Sequence, residues 1–139
     1  ALTNQALRPH GAAMGAGVVA ALPADRCGLV ETARVVGYLA RESAGQCGPC
    51  LNGLPRIAVA MESLARPHPD TAVVHDVRRW AGLVERRGAC HHPDGSVRLV
   101  RSALTVFEPE LALHRAGRCS GDRAAAPFLP VPSERRWTA

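Results

Sequence analysis

The sequence has no lysine: all 17 basic residues of the 139-residue chain are arginine. That bias says little about chemistry, and the net charge of +5 is moderate. Arginine pairs occur at Arg78-Arg79, Arg86-Arg87 and Arg135-Arg136. Only five residues are aromatic, so the stacking surface that single-strand nucleic-acid binders use is missing, and the pairs read as solvated helix faces. No apolar run approaches the roughly 20 residues needed to span a bilayer, and nothing resembles a signal peptide. Also missing are a glycine-rich phosphate cradle, a serine nucleophile elbow and a zinc-protease helix. The chain reads as soluble and cytoplasmic, with no nucleic-acid partner and no direct membrane insertion.

What remains is a chain long enough to bury a real core, with five cysteines spread along it. An odd number of scattered cysteines in a reducing compartment favours metal ligation or redox work over disulfides. Ala1 opens the sequence, which reads as a piece of a longer protein.

Met14 to Pro23, "MGAGVVAALP", carries a short β-branched run after glycines, as a strand leaving a turn does. Asp25 is a candidate cap for a first helix with apolar Leu29, Ala33, Val36 and Ala40, ending at the Gly45 and Gly48 loop. Pro55 suits the first turn of a second helix, whose stripe is Ile57, Ala58, Met61, Leu64 and Ala65. Asp70 is placed to cap a third, with Val73, Val74, Val77, Trp80, Ala81 and Val84 facing inward and Gly88 as its stop. Ser96 is placed to cap a fourth over Val97, Val100, Ala103, Leu104 and Phe107, interrupted or restarted at Pro109.

The expected fold is all-α: an antiparallel four-helix bundle over 25–118, preceded by a single strand in 1–24 and followed by a flexible, proline-containing tail over 119–139. In that topology alternate loops fall at one end. Cys47 and Cys50, in the first interhelical loop, would then converge with Cys90, in the third, which is followed by His91 and His92. Cys27 and Cys119 would lie at the other end. Cys27 and Cys47 would stand about 25 Å apart along a helix, too far to share one metal. Backbone amides near Gly45, Gly48 and Gly53 can point at sulfur and stabilise thiolate.

The stretch "ESAGQCGPC", Glu42 to Cys50, together with Cys90, resembles the iron-sulfur-binding C-terminal region of the flavin-carrying, NADH-binding subunit family of NADH:quinone oxidoreductase and related hydrogenase and formate dehydrogenase subunits. The family pattern is Glu-Ser-Cys-Gly-x-Cys-x-Pro-Cys followed by a more distant fourth cysteine. Glu42, Ser43, Gly45, Cys47, Pro49, Cys50 and Cys90 match it, as does the spacing to Cys90. "CHHPDG" and "FEPEL", Phe107 to Leu111, extend the likeness, which covers roughly Gly15 to Gly117, and "GAGVV" is similar to the close of the β-grasp segment that precedes the family's bundle. The resemblance implies a bundle holding a 4Fe-4S cluster that receives electrons after flavin has taken hydride from NADH. It also implies partners, a flavin- and NADH-binding domain or subunit and a further electron-transfer subunit, and a place peripheral to a membrane complex. The family's glycine-rich flavin and NADH segments are absent from this chain, which alone should not oxidise NADH.

One letter departs from the pattern. The family's first cluster cysteine falls on Ala44, whose methyl group cannot ligate iron. The carried-over ligand set is Cys47, Cys50 and Cys90, and three completions stay open. A 4Fe-4S cluster could take His91, His92, Asp94, Ser43 or solvent on its fourth iron, or persist in a three-iron form. Cys47, Cys50, Cys90 and His91 or His92 could instead hold structural zinc. The third possibility is a metal-free interaction module with free or reversibly paired thiols. Cys27 and Cys119 read as buried or incidental thiols whose shared bundle end permits contact, and His10, His68, His75 and His114 as surface residues without a partner at ligand spacing.

Overall fold

Apolar residues spaced three and four apart oblige each amphipathic segment to bury one face. The computed structural model, which describes residues 3–15, 18–122 and 126–131, shows where those faces go. Six helices and no strand are found among the described residues: α1 (Asn4–Leu7), α2 (Gly28–Arg41), α3 (Leu54–Leu64), α4 (Ala72–Val84), α5 (His92–Val106) and α6 (Glu108–Arg115). Helix α2 packs against α3 and α5, and α4 packs against the same two, so each of the four long helices touches two others. Leu29, Ile57, Met61, Leu64, Val77 and Val100 are wholly buried where these faces meet. Each such side chain contributes about 1.5–3 kcal/mol relative to exposure, and no other force of comparable size acts on these segments.

The helix boundaries differ from expectation in instructive places. Cys27, not Asp25, is the cap residue of α2, and its side chain makes no cap bond because it is turned into the interior. Helix α3 begins at Leu54, with Pro55 in its first turn as expected, but it is entered through an unforeseen π-helical turn, Pro49–Gly53. Asp70 does accept a hydrogen bond from the Ala72 amide at 2.8 Å, at the head of α4. Helix α4 stops at Val84 rather than near Gly88: Glu85 is extended, and Arg86 turns left-handed at φ 59° while its amide donates to Asp94 at 2.7 Å. Helix α5 starts at His92, ahead of the expected Ser96 cap. Pro93 has no amide proton to leave unpaired in a first turn, and Ser96 lies inside the helix, donating to the His92 carbonyl at 3.0 Å. At Phe107 the backbone leaves helical geometry, and α6 restarts with Pro109 in its first turn.

The strand expected within Met14–Pro23 is not formed by the described part of that segment; Ala16 and Gly17 lie outside the described residues. Val18 and Val19 are about four-fifths exposed. A single extended segment with no neighbour has nothing to pair with its amides and carbonyls. Just after α6, Ser120 bonds to Glu110 and the Asp122 amide donates to the Asp25 carbonyl at 2.8 Å. Trp137 lies outside the described residues.

Replacing Ile57 or Met61 with alanine should cost about 2–5 kcal/mol in a urea titration followed by circular dichroism. Val59→Ala, on the exposed side of the same helix, should stay within about 0.5 kcal/mol of the parent.

Candidate functional site

The link between α2 and α3 carries Cys47 and Cys50. The π-helical turn tightens it, with the Leu51 amide donating to the Cys47 carbonyl at 2.9 Å, and Cys50 is drawn inside while Cys47 stays half-buried. Gly53 lets this turn sit on the end of α4: a methyl group there would meet Val84 Cγ2 at 2.2 Å. Beyond Val84 runs the link that carries Cys90, and the two links therefore lie side by side.

The electrostatics follow from that juxtaposition. The Ala89 amide, then the Cys50 amide, stabilise charge on the Cys47 sulfur and hold its pKa below the ordinary thiol value, with the Cys50 thiol adding and partial burial opposing. Cys50 moves the other way. Burial pushes it up, the neighbouring Cys47 sulfur adds to the rise, and the Gly45 amide and Ser43 hydroxyl only partly offset it. Cys47 is thus the more readily ionised thiol of the pair, facing amide donors from both links.

Cys90 is exposed beside this pair. Among the described residues, Cys47, Cys50 and Cys90 do not gather their sulfurs within 4.8 Å of one another, the spacing that suits a single ion. His91 is exposed at the cap of α5 and makes no side-chain cap bond. His92 reaches across to the Leu39 carbonyl, which accepts from its Nε2 at 2.8 Å, so that nitrogen ties α5 to α2. Asp94 receives the Arg86 amide, and Ala44 is exposed.

The opposite end holds what the sequence reading missed. Cys27, Glu110, His114 and Cys119 bring one donor atom each within 4.8 Å of one another. His114, expected at the surface, is wholly buried. Its Nδ1 donates to the Leu64 carbonyl at 2.8 Å, and its Nε2 lies 3.4 Å from both the Cys27 and Cys119 sulfurs. Burial pushes the Cys27 thiol up to about 12. Burial also opposes ionisation of Glu110, but the Ser120 hydroxyl and amide, the Cys119 thiol and His114 outweigh it and hold that carboxyl below its ordinary value. A signal was present: Glu110 and His114 are four apart on one helical face, with Cys119 just beyond.

The fold and site define a helical domain that presents cysteines from interhelical links. The particular family follows from comparison. The family model for the NADH-ubiquinone oxidoreductase-F iron-sulfur binding region matches residues 30–114, and the chain belongs to that family. An NADH-quinone oxidoreductase subunit of Buchnera aphidicola subsp. Schizaphis graminum is 31% identical over 88 residues, covering 60% of this chain and 20% of the relative. Its counterpart in Buchnera aphidicola subsp. Baizongia pistaciae is 31% identical over 94 residues, covering 64% of this chain and 20% of the relative. The matched stretch thus spans about a fifth of these relatives. Among the described residues, no helix is long and apolar enough to cross a membrane.

Because Cys47 ionises below the ordinary thiol range and Cys50 above it, iodoacetamide should modify Cys47 first in the metal-free protein as pH rises, and Cys50 later. Peptide mass mapping across a pH series checks the order, and simultaneous modification would contradict it.

Proposed function

We propose that the chain is an electron-transfer domain in which Cys47, Cys50 and Cys90 hold an iron-sulfur cluster, 4Fe-4S in its full form. The observation that carries this reading is the Ala89 amide turned toward the Cys47 sulfur, which ties the link bearing Cys90 to the link bearing Cys47 and Cys50. The family membership supports it independently. Three of the family's four ligand positions bear thiols here, and the donor set suits iron at those three. At the fourth, Ala44 offers a methyl group. His91 is better placed than His92 to complete the set, because His92 already commits Nε2 to the Leu39 carbonyl. Without a fourth protein ligand the site suits a three-iron form or a solvent-completed cluster. The group itself supplies one-electron exchange. The protein's part is to fix the sulfurs, present the Ala89 and Gly45 amides to them, and leave the Cys90 side open toward an electron donor or acceptor.

On this reading the bundle, 25–118 with the docked residues up to Asp122, runs antiparallel, its short links placing alternate loops at one end. Val18 and Val19 would form the closing strand of a β-grasp segment only beside a sheet supplied from elsewhere. The fitting partners are a flavin- and NADH-binding domain or subunit and a further electron-transfer subunit, in an assembly peripheral to a membrane.

Anaerobic reconstitution with iron and sulfide should give a brown protein with acid-labile sulfide and an EPR signal on reduction. Cys50→Ala and Cys90→Ala should each abolish them, and Ala44→Cys should raise four-iron occupancy. A colourless wild type after reconstitution, or a Cys90 variant with undiminished sulfide, would sink the reading.

A further inference from the structure

We propose that Cys27, Glu110, His114 and Cys119 form a second, mononuclear metal site at the end of the bundle remote from Cys50, and that the ion it takes is a structural zinc. The four donors come from three separate pieces of chain: the head of α2, two successive turns of α6, and the loop that follows it. Four of the separations among them are close to those of a tetrahedron around one ion, and all lie within 4.8 Å. Zinc bonds of about 2.3 Å to sulfur, 2.0–2.1 Å to nitrogen and 2.0–2.2 Å to oxygen, set at tetrahedral angles, give edges of about 3.6 Å for sulfur to nitrogen, 3.4 Å for oxygen to nitrogen and 3.6 Å for sulfur to oxygen. Both sulfurs lie 3.4 Å from His114 Nε2, Glu110 Oε1 lies 3.2 Å from the same nitrogen, and the Cys27 sulfur lies 3.7 Å from Glu110 Oε1.

The surroundings orient the donors as outer-shell groups orient metal ligands. A carbonyl can only accept, so the Leu64 contact places a proton on His114 Nδ1 and leaves Nε2 facing the two sulfurs. The Ser120 amide donates to Glu110 Oε1 at 2.9 Å, and the Ser120 hydroxyl donates to Oε2. Gly121 closes the loop: a methyl group there would stand 2.5 Å from the Cys27 amide, so only glycine lets the loop carrying Cys119 come down on the head of α2. The ion would replace the two thiol protons, which leave to solvent, and would be held by two thiolates, one neutral imidazole and one carboxylate. Four protein ligands close the coordination sphere, which marks a structural rather than a hydrolytic site, and the mixed sulfur, nitrogen and oxygen set is one that zinc accepts.

This site is independent of the proposed cluster, and the test keeps the two apart. The full 139-residue chain carrying Cys47→Ser, Cys50→Ser and Cys90→Ser is purified under reductant, assayed for metals by mass spectrometry, stripped and titrated with zinc and cobalt(II). The expected result is about one zinc per chain, with thiolate-to-cobalt charge-transfer and tetrahedral d–d bands, and thermal stability that rises on zinc addition. Cys119→Ser in that background should lose more than the about 10–100-fold in affinity that altering an outer-shell partner costs. Ser120→Ala should lose about that 10–100-fold, and exposed His75→Gln should lose nothing. A chain that is helical by circular dichroism yet binds no zinc and gives no cobalt-thiolate bands would overturn the proposal. So would a disulfide between Cys27 and Cys119 in the reduced preparation, or undiminished zinc affinity in the Cys119 variant.

Discussion

Burial of one apolar stripe from each of α2, α3, α4 and α5 is the constraint on which everything else depends. Leu29, Ile57, Met61, Val77 and Val100 leave no room among the four helices for a polar centre, so chemistry is confined to the two ends. Because helix interiors satisfy their own backbone, spare amides exist only at helix termini and in links, and charged sulfur needs such donors. Cysteines outside the helical cylinders are therefore the ones that can do chemistry, and all five lie in links, caps or the turn that enters α3.

The two ends solve different problems. At the Cys47 end the sulfurs are graded from buried Cys50 through half-buried Cys47 to exposed Cys90, they do not close to the spacing of one ion, and amides face them. On the proposed reading, that openness would leave room for an iron-sulfur cluster with one side toward a partner. At the Cys27 end the donors are compact, and Cys27, Glu110 and His114 are buried, held by Leu64 and Ser120. That end joins the start of the bundle to its finish.

Periodicity made the helices legible, because a stripe such as Ile57, Met61 and Leu64 has no simpler reading. Boundaries were less so. The Asp25 and Ser96 caps rested on local side-chain chemistry, but tertiary contacts decided both places: Cys27 turns inward toward His114, and Pro93 opens α5. Loop alternation is the sequence argument for placing Cys50 near the Cys90 link. His114 was not foreseeable in that way, since its sulfur partner Cys27 lies 87 positions away and only the packing of α6 and its following loop brings them together. The π-helical turn had no signature beyond Pro49 at its start.

The departure at Ala44 takes on a different meaning once the second end is considered. In a domain held together by its cluster, loss of one cluster ligand weakens the fold as well as the redox centre, because metal binding free energy is folding free energy. Here the Cys47 link is already fixed by apolar packing of Cys50 and by Gly53 against Val84, and the exposed Ala44 adds only its carbonyl, which accepts from the Gln46 side chain. The opposite end is cinched by Gly121, Asp122 and the His114 group, and an ion there would add its binding energy to the contact between α2, α6 and the tail. A fold secured in this way at the far end tolerates an incomplete ligand set at the near one. On the proposed reading, alanine at position 44 would act on the cluster's nuclearity and potential, while the bundle that carries Cys47, Cys50 and Cys90 stays in place.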